Sequence, residues 1–218
     1  MCIRDRANID YWRDIYVNRK VPVFPSQFAM FVQSWLTETN YNLLEFGCGN
    51  GRDSMFFQNM GHNVIATDQC IGEELKQLAL ESQNMVCVES DVVDISSNIA
   101  DHFNNDNKNV IYSRFFQHAI DSESEKIMLE SLYKNTPQNT TLFFEFRLYE
   151  DIHTDKVYGS DHYRRFQTDD DFVELLENCG FTCDYRCKGQ GYATFAAEDP
   201  VVGRFVASPN ERVKLRTV

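Results

Sequence analysis

No stretch of this 218-residue chain approaches the roughly 20 consecutive apolar residues that a membrane span needs, and no apolar run near its start resembles a secretory signal. The chain is therefore expected neither to span nor to bind a membrane. Positive charge is scarce: 21 Lys and Arg stand against 33 Asp and Glu, for a net charge of −12. A phosphate backbone would be repelled by that average field, so nucleic acid is not an expected partner. The 7 cysteines are scattered, and a chain this long needs no disulfides to stay folded. They read as reduced thiols, and the expected location is cytoplasmic. There is no internal repeat, no low-complexity tract and no linker.

What is present is ordinary for a globular protein, with 43% apolar and 25% charged residues. The length suits one domain with a sizeable core. Met1-Cys2-Ile3-Arg4-Asp5-Arg6 is what a transposase adapter end used in library preparation encodes when translated. Residues 1–6 are thus expected to be a non-native scar, and 7–218 a single domain.

From Ser26 to Leu36, apolar residues recur at helical spacing (Phe28, Phe31, Val32, Trp35, Leu36), with Ser26 as N-cap. Tyr41 to Phe46 is a short apolar run ending at glycines, which predicts a buried strand. A helix over 52–60 and a strand over 63–67 follow, the latter ending in Asp68. The alternation continues with a helix over 71–82 and strands over 85–89 and 110–112. A helix over 122–133 and a strand over 141–146 come next. Thr168 caps a helix whose first turn carries Asp169, Asp170 and Asp171, favourable at the positive end of the helix dipole. Two last strand-like runs, 181–186 and 201–207, flank a Gly-Gln-Gly bend. Alternating β and α along a whole chain predicts an α/β fold: a mostly parallel sheet with helices on both faces.

The densest signal is Leu43-Leu44-Glu45-Phe46-Gly47-Cys48-Gly49-Asn50-Gly51-Arg52-Asp53-Ser54. A strand runs into glycines at alternate positions and then into a helix, so a ligand can lie on bare backbone amides at the helix N-terminus. A glycine-rich turn alone also serves any β-to-α crossover. The spacing is Gly-x-Gly-x-Gly, not the Gly-x-Gly-x-x-Gly of dinucleotide enzymes. Glu45, two residues ahead of the first glycine, suits a cationic or amino-bearing ligand better than a pyrophosphate. Asp68 ends the second strand, where nucleotide folds place a carboxylate on ribose hydroxyls.

Glu45 to Gly51, Asp68, and Ser90-Asp91 after the third strand together resemble the class I S-adenosylmethionine-dependent methyltransferases. The Gly-Asn-Gly-Arg-Asp-Ser run, Phe56-Phe57 and Gly61-His62-Asn63-Val64 are most similar to the small-molecule branch, near the tellurite-resistance and thiopurine methyltransferase groups. The resemblance implies a Rossmann-like seven-stranded sheet with an antiparallel last strand, and S-adenosylmethionine as cofactor. It implies that Glu45, Gly47, Cys48, Gly49 and Gly51 line the methionine moiety. Asp68 would hold the ribose, Gln69 and Val92 would lie beside the adenine, and Asp91 would accept from its amino group. A strand-end or turn acid is the bland alternative for Asp91. Ser113, at the end of the fourth strand, joins the cofactor set.

In the same family the residues after strand four face the transferring methyl. Here they are Tyr112-Ser113-Arg114-Phe115-Phe116-Gln117-His118, without the Asn/Asp-Pro-Pro-aromatic tetrad or the Pro-Cys pair of the nucleic-acid branches. No acid stands where metal-dependent relatives hold a cation, and Ser113 cannot replace one, so no metal is expected. Cys179, Cys183 and Cys187 lack the spacing of a radical cluster site and read as core or edge thiols. His118, Glu145 and His162 are the candidate bases. Arg114, Arg147, Tyr163, Arg164 and Arg165 are candidates for the acceptor, since guanidinium forks suit carboxylate or phosphate. Equally, these arginines could pair with Glu145, Glu150, Asp151 and Asp161 and latch a lid. The function expected is metal-independent methyl transfer to a small anionic acceptor, with a sugar or other glycan-pathway intermediate as one candidate. A silent cofactor-binding subunit and a Rossmann oxidoreductase are the alternatives.

Overall fold

Each of these runs forms its element for a local reason that the computed structural model makes visible; it describes Tyr11 and residues 23–103, 107–154 and 163–211. The proposed scar at 1–6 lies outside the described residues. Helix α1 (Gln27–Trp35) starts where the Ser26 hydroxyl accepts from the Ala29 amide, and it buries Phe28, Ala29 and Val32. Strand β1 (Asn42–Phe46) leads through the glycine turn into α2 (Arg52–Asn59). Then come β2 (Asn63–Asp68), α3 (Glu73–Glu81) and β3 (Met85–Glu89).

A short helix that periodicity could not reveal follows, α4 (Val92–Ser97), whose six residues make less than two turns. The chain continues with β4 (Asn109–Arg114), α5 (Ser122–Asn135) and β5 (Thr140–Arg147). Helix α6 (Asp169–Asn178) has the expected cap as a reciprocal box between Thr168 and Asp171. Strands β6 (Phe181–Gly189) and β7 (Val202–Pro209) close the chain.

The seven strands lie in the order β3-β2-β1-β4-β5-β7-β6. Neighbours from β3 to β5 are parallel, and β7 alone runs antiparallel, against both β5 and β6. That is the expected sheet. Strand order reverses between β1 and β4, so the crevice outside their carboxyl ends is where such a fold binds ligands.

Helices α1 to α3 cover one face, where Phe28 and Phe57 pack on Tyr112 with ring centroids 5.1 Å away in each case. Helices α4 to α6 cover the other. At its centre Phe172 of α6 meets Phe144, Phe146 and Phe205 edge-on, at 5.2, 4.8 and 4.9 Å. Among the described residues no helix is long and apolar enough to cross a membrane.

The ring of Phe172 is fully buried between three strand residues, so nothing nearby can refill its volume. Phe172→Ala should cost about 3–5 kcal/mol of stability. Urea unfolding monitored by circular dichroism checks this.

Candidate active site

All three glycines of the turn after β1 adopt the left-handed conformation, at φ +70° for Gly47, +55° for Gly49 and +74° for Gly51. Side chains are excluded twice over, by backbone strain and by space. A Cβ on Gly47 would lie 2.7 Å from the Phe116 ring, and one on Gly51 would lie 2.4 Å from Leu75. The turn is tied to β2 through Asp68, whose carboxylate accepts from the Gly49 amide at 3.0 Å and the Cys70 amide at 3.1 Å. Burial pushes the Asp68 carboxyl up, and these amides pull it back down. Cys48 is buried within the turn, and burial with Asp68 beside it drives its thiol well above the ordinary range. It is an inert wall, not a nucleophile.

Two acids lie beneath this turn. Asp53 accepts from the Ser26 amide and hydroxyl, each at 2.7 Å, and from the Tyr112 hydroxyl at 2.6 Å. These bonds lock the start of α1 and the start of α2 to β4. Glu45, 3% exposed, accepts from the Ser54 hydroxyl through one carboxylate oxygen. Burial, and then the charge of Asp53, hold its carboxyl well above the usual carboxylate range. Arg52 lies 3.8 Å from Asp53, and burial together with nearby Arg114 lowers its pKa. Asp53 and Arg52 stood within the glycine motif but were given no role of their own from the sequence. Beyond their place in that run, the local signal was an acid in the first turn of a helix, which the helix dipole already explains.

The other residues expected at the cofactor sit close by but carry structural bonds. Asp91 caps α4 by accepting from the Val93 amide at 2.8 Å, and its second oxygen accepts from Gln69 Nε2 at 2.7 Å. The pair brings Gln69 and Asp91 together at the ends of β2 and β3. Val92, the first residue of α4, is buried in the core. Ser113 is fully buried and donates to Gln117 at 3.0 Å.

Strand neighbours at the acceptor end decide a different chemistry from the expected one. Glu145 faces Arg114 across β4–β5 and Arg204 across β5–β7. Its two oxygens accept from Arg114 Nε at 2.9 Å and Arg204 Nε at 2.7 Å. Fully buried between two guanidiniums, Glu145 is an anchor and not the free base anticipated; burial raises its carboxyl while the two cations oppose the shift. Next to Arg114 the chain makes a strained step, with Phe115 left-handed at φ +56°. That step lays the Phe115 ring 4.2 Å from the Arg114 guanidinium and swings Phe116 under Gly47.

His118 is buried, and its Nδ1 accepts from the Arg147 amide at 3.4 Å. One ring nitrogen of this expected base is thereby engaged by the backbone. His162, the third candidate base, lies outside the described residues.

The arginines divide along the same line. Arg147, expected at the acceptor, is 4% exposed and donates to Asp151 at 2.8 Å and to Glu198. Arg165 is spent likewise, donating to buried Glu125 at 2.5 Å, to Gln167 at 3.0 Å and to the carbonyls of Gln117 and Ile120. Both guanidiniums are thus engaged in ion pairs, and of the acids expected as their partners only Asp151 is among those they meet. Arg164 is half-buried near Arg147, Glu198 and Asp151, with burial and Arg147 lowering its pKa. Tyr163 is exposed, and Arg114 donates only its Nε to any described residue. Glu125, Glu198 and Arg204 had no signal in the sequence, because each is defined by a partner from 40 to 59 positions away. Cys179, Cys183 and Cys187 are free thiols, and no cluster of metal-ligating side chains occurs among the described residues.

Residues 31–134 match the family described as tellurite resistance protein TehB. Curated proteins give no match. Among solved structures, a methyltransferase dependent on S-adenosylmethionine from Anabaena variabilis superposes with a TM-score of 0.71, at 18% identity over 96% of each chain. The 1,6-didemethyltoxoflavin-N1-methyltransferase of Burkholderia thailandensis, solved with its substrate and S-adenosylhomocysteine, gives 0.66 at 15% identity, over 95% of this chain and 86% of that one. A TehB-like methyltransferase from Corynebacterium glutamicum gives 0.58 at 15% identity, over 94% and 97%. The chain has the fold of S-adenosylmethionine-dependent methyltransferases, and residues 31–134 are similar to the tellurite resistance protein TehB family.

Removing Arg147 would strand the buried carboxylates of Asp151 and Glu198. Arg147→Ala should therefore lower stability by about 3–5 kcal/mol. Arg147→Lys, which keeps the charge but not the fork, should recover only part of it. Thermal melts of both variants against the parent protein measure the two losses.

Proposed function

We propose that this protein is an S-adenosylmethionine-dependent methyltransferase acting on a small-molecule acceptor. One observation carries the proposal: a turn of three left-handed glycines, bare of side chains of its own at those positions and bracketed by Asp68 and Glu45. The residues fit the cofactor. Asp68 can exchange its amide bonds for ribose hydroxyls, the bare turn admits a chain lying on its amides, and Glu45 suits an ammonium or sulfonium. Gln69 and Asp91, already paired, would present polar edges to the adenine.

When bound, the cofactor supplies an electrophilic methyl group on a positively charged sulfur. What remains for the protein is alignment, exclusion of water and a field that tolerates the dispersing charge. The row Arg114–Glu145–Arg204 supplies a rigid wall at the ends of β4, β5 and β7. With Glu145 and one ring nitrogen of His118 engaged, the acceptor atom that suits this wall is one that attacks without first losing a proton, an amine nitrogen or a thioether sulfur. Arg114, whose terminal nitrogens bond no described residue, is the proposed contact for an anionic group on the acceptor, together with Arg164. Within a glycan pathway, an anionic amino sugar satisfies this, its nitrogen being the attacking atom.

Calorimetry should show S-adenosylmethionine and S-adenosylhomocysteine binding, and NAD not binding. Asp68→Ala should weaken the first two by about 1–3 kcal/mol, since a buried hydroxyl pair loses its acceptor. Binding of NAD in their place would overturn the proposal.

A further inference from the structure

Phe115 is a bulky residue held in the left-handed conformation, at φ +56°, where a glycine would carry no strain. The step is firmly held: the Phe115 amide donates to the Glu145 carbonyl at 2.7 Å, so the β4–β5 ladder runs through it. The ring belongs to neither of the two apolar core clusters, whereas its neighbour Phe116 packs against one of them. Its own neighbours are polar. The Arg114 guanidinium lies over the ring, 4.2 Å from its centroid, that of Arg147 at 5.6 Å, and the His118 ring is 5.5 Å away.

These three side chains differ in freedom. Arg147 is tied by Asp151 and Glu198, and His118 is engaged at Nδ1 by the Arg147 amide. Arg114 is tied at Nε alone, by Glu145, and its terminal nitrogens bond no described residue. A contact through the face of an aromatic ring restrains a guanidinium without occupying any of its N–H groups.

We propose that Phe115 is a positioning residue for the acceptor, its ring holding the Arg114 guanidinium so that the terminal nitrogens meet an oxyanion group of the acceptor already ordered. Glu145 fixes one corner of the guanidinium and the ring fixes its plane, which leaves the outer edge for two oxygens of one carboxylate or phosphate. The strained backbone is what sets an aromatic ring at this point of the strand end. Such preorganisation acts on affinity, because a side chain ordered beforehand loses less freedom on binding. The inference rests on the reading of Arg114 as the anion contact and adds the residue that orients it.

The test replaces Phe115 with phenylalanines carrying one, two and three ring fluorines, which weaken the negative face of the ring and keep its shape. Inorganic phosphate is the probe, titrated into each protein by calorimetry at constant ionic strength. Phosphate affinity should fall stepwise along the series, by about two- to tenfold in all. Arg114→Gln should lower it by about tenfold or more, and with that substitution present the fluorines should make no difference. Phosphate should also protect Arg114 from phenylglyoxal, read by mass spectrometry, which checks the same contact without a substitution.

An affinity that stays flat along the series while Arg114→Gln lowers it, or a fluorine effect that persists in Arg114→Gln, overturns the positioning role and leaves the Arg114 contact standing. Phosphate binding that Arg114→Gln does not change, or no protection of Arg114, overturns both.

Discussion

Buried carboxylates govern the working end of this molecule. Glu45, Asp53, Glu125, Glu145, Asp151 and Glu198 all sit below the surface, and a buried charge is tolerable only when paired and hydrogen-bonded. Satisfying them consumes the guanidiniums of Arg147, Arg165 and Arg204 and part of Arg114. Little positive charge is then left for a ligand, in a chain that has little to begin with. The arrangement fixes strand ends and loops that would otherwise be held only by a few turn bonds. It also explains why a site reached by several arginines is not a strongly positive one.

The cofactor side is organised by a different economy, that of space. Three left-handed glycines keep the turn free of side chains, Phe116 and Leu75 fill the volume behind it, and Asp68 ties it to β2. Asp53 then connects this turn to the start of α1 and to Tyr112. The first helix, the glycine turn and the acceptor strand are thus one hydrogen-bonded unit. A shift at any of them would be felt at the others. Phe115, strained at the end of β4, sits where the two halves meet, its ring against Arg114 and its neighbour under Gly47.

Local patterns carried most of the fold. The periodicity from Phe28 to Leu36, the apolar run into Gly47, the acid at Asp68 and the cap at Thr168 each depend on residues within one or two turns of each other. Helix α4 escaped because six residues cannot display a period. The glycine turn and Asp68 were legible for the same local reason, and in the structure the Gly49 amide donates to Asp68.

By itself, the sequence determined the α/β alternation, the turn that bares its amides and the acids that flank it, since backbone conformation and amphipathicity are written in neighbouring residues. Only the tertiary structure decided what the charged side chains do. Glu145 became an anchor because β4 and β7 lie on either side of β5, which sets Arg114 and Arg204 against it across 31 and 59 positions. Arg147 is held in a buried ion pair because Glu198 returns to it across 51 positions. His118 has one ring nitrogen engaged by a backbone amide 29 positions away. Ion pairing depends on which strands are neighbours and how much water is excluded between them, and both are properties of the assembled sheet.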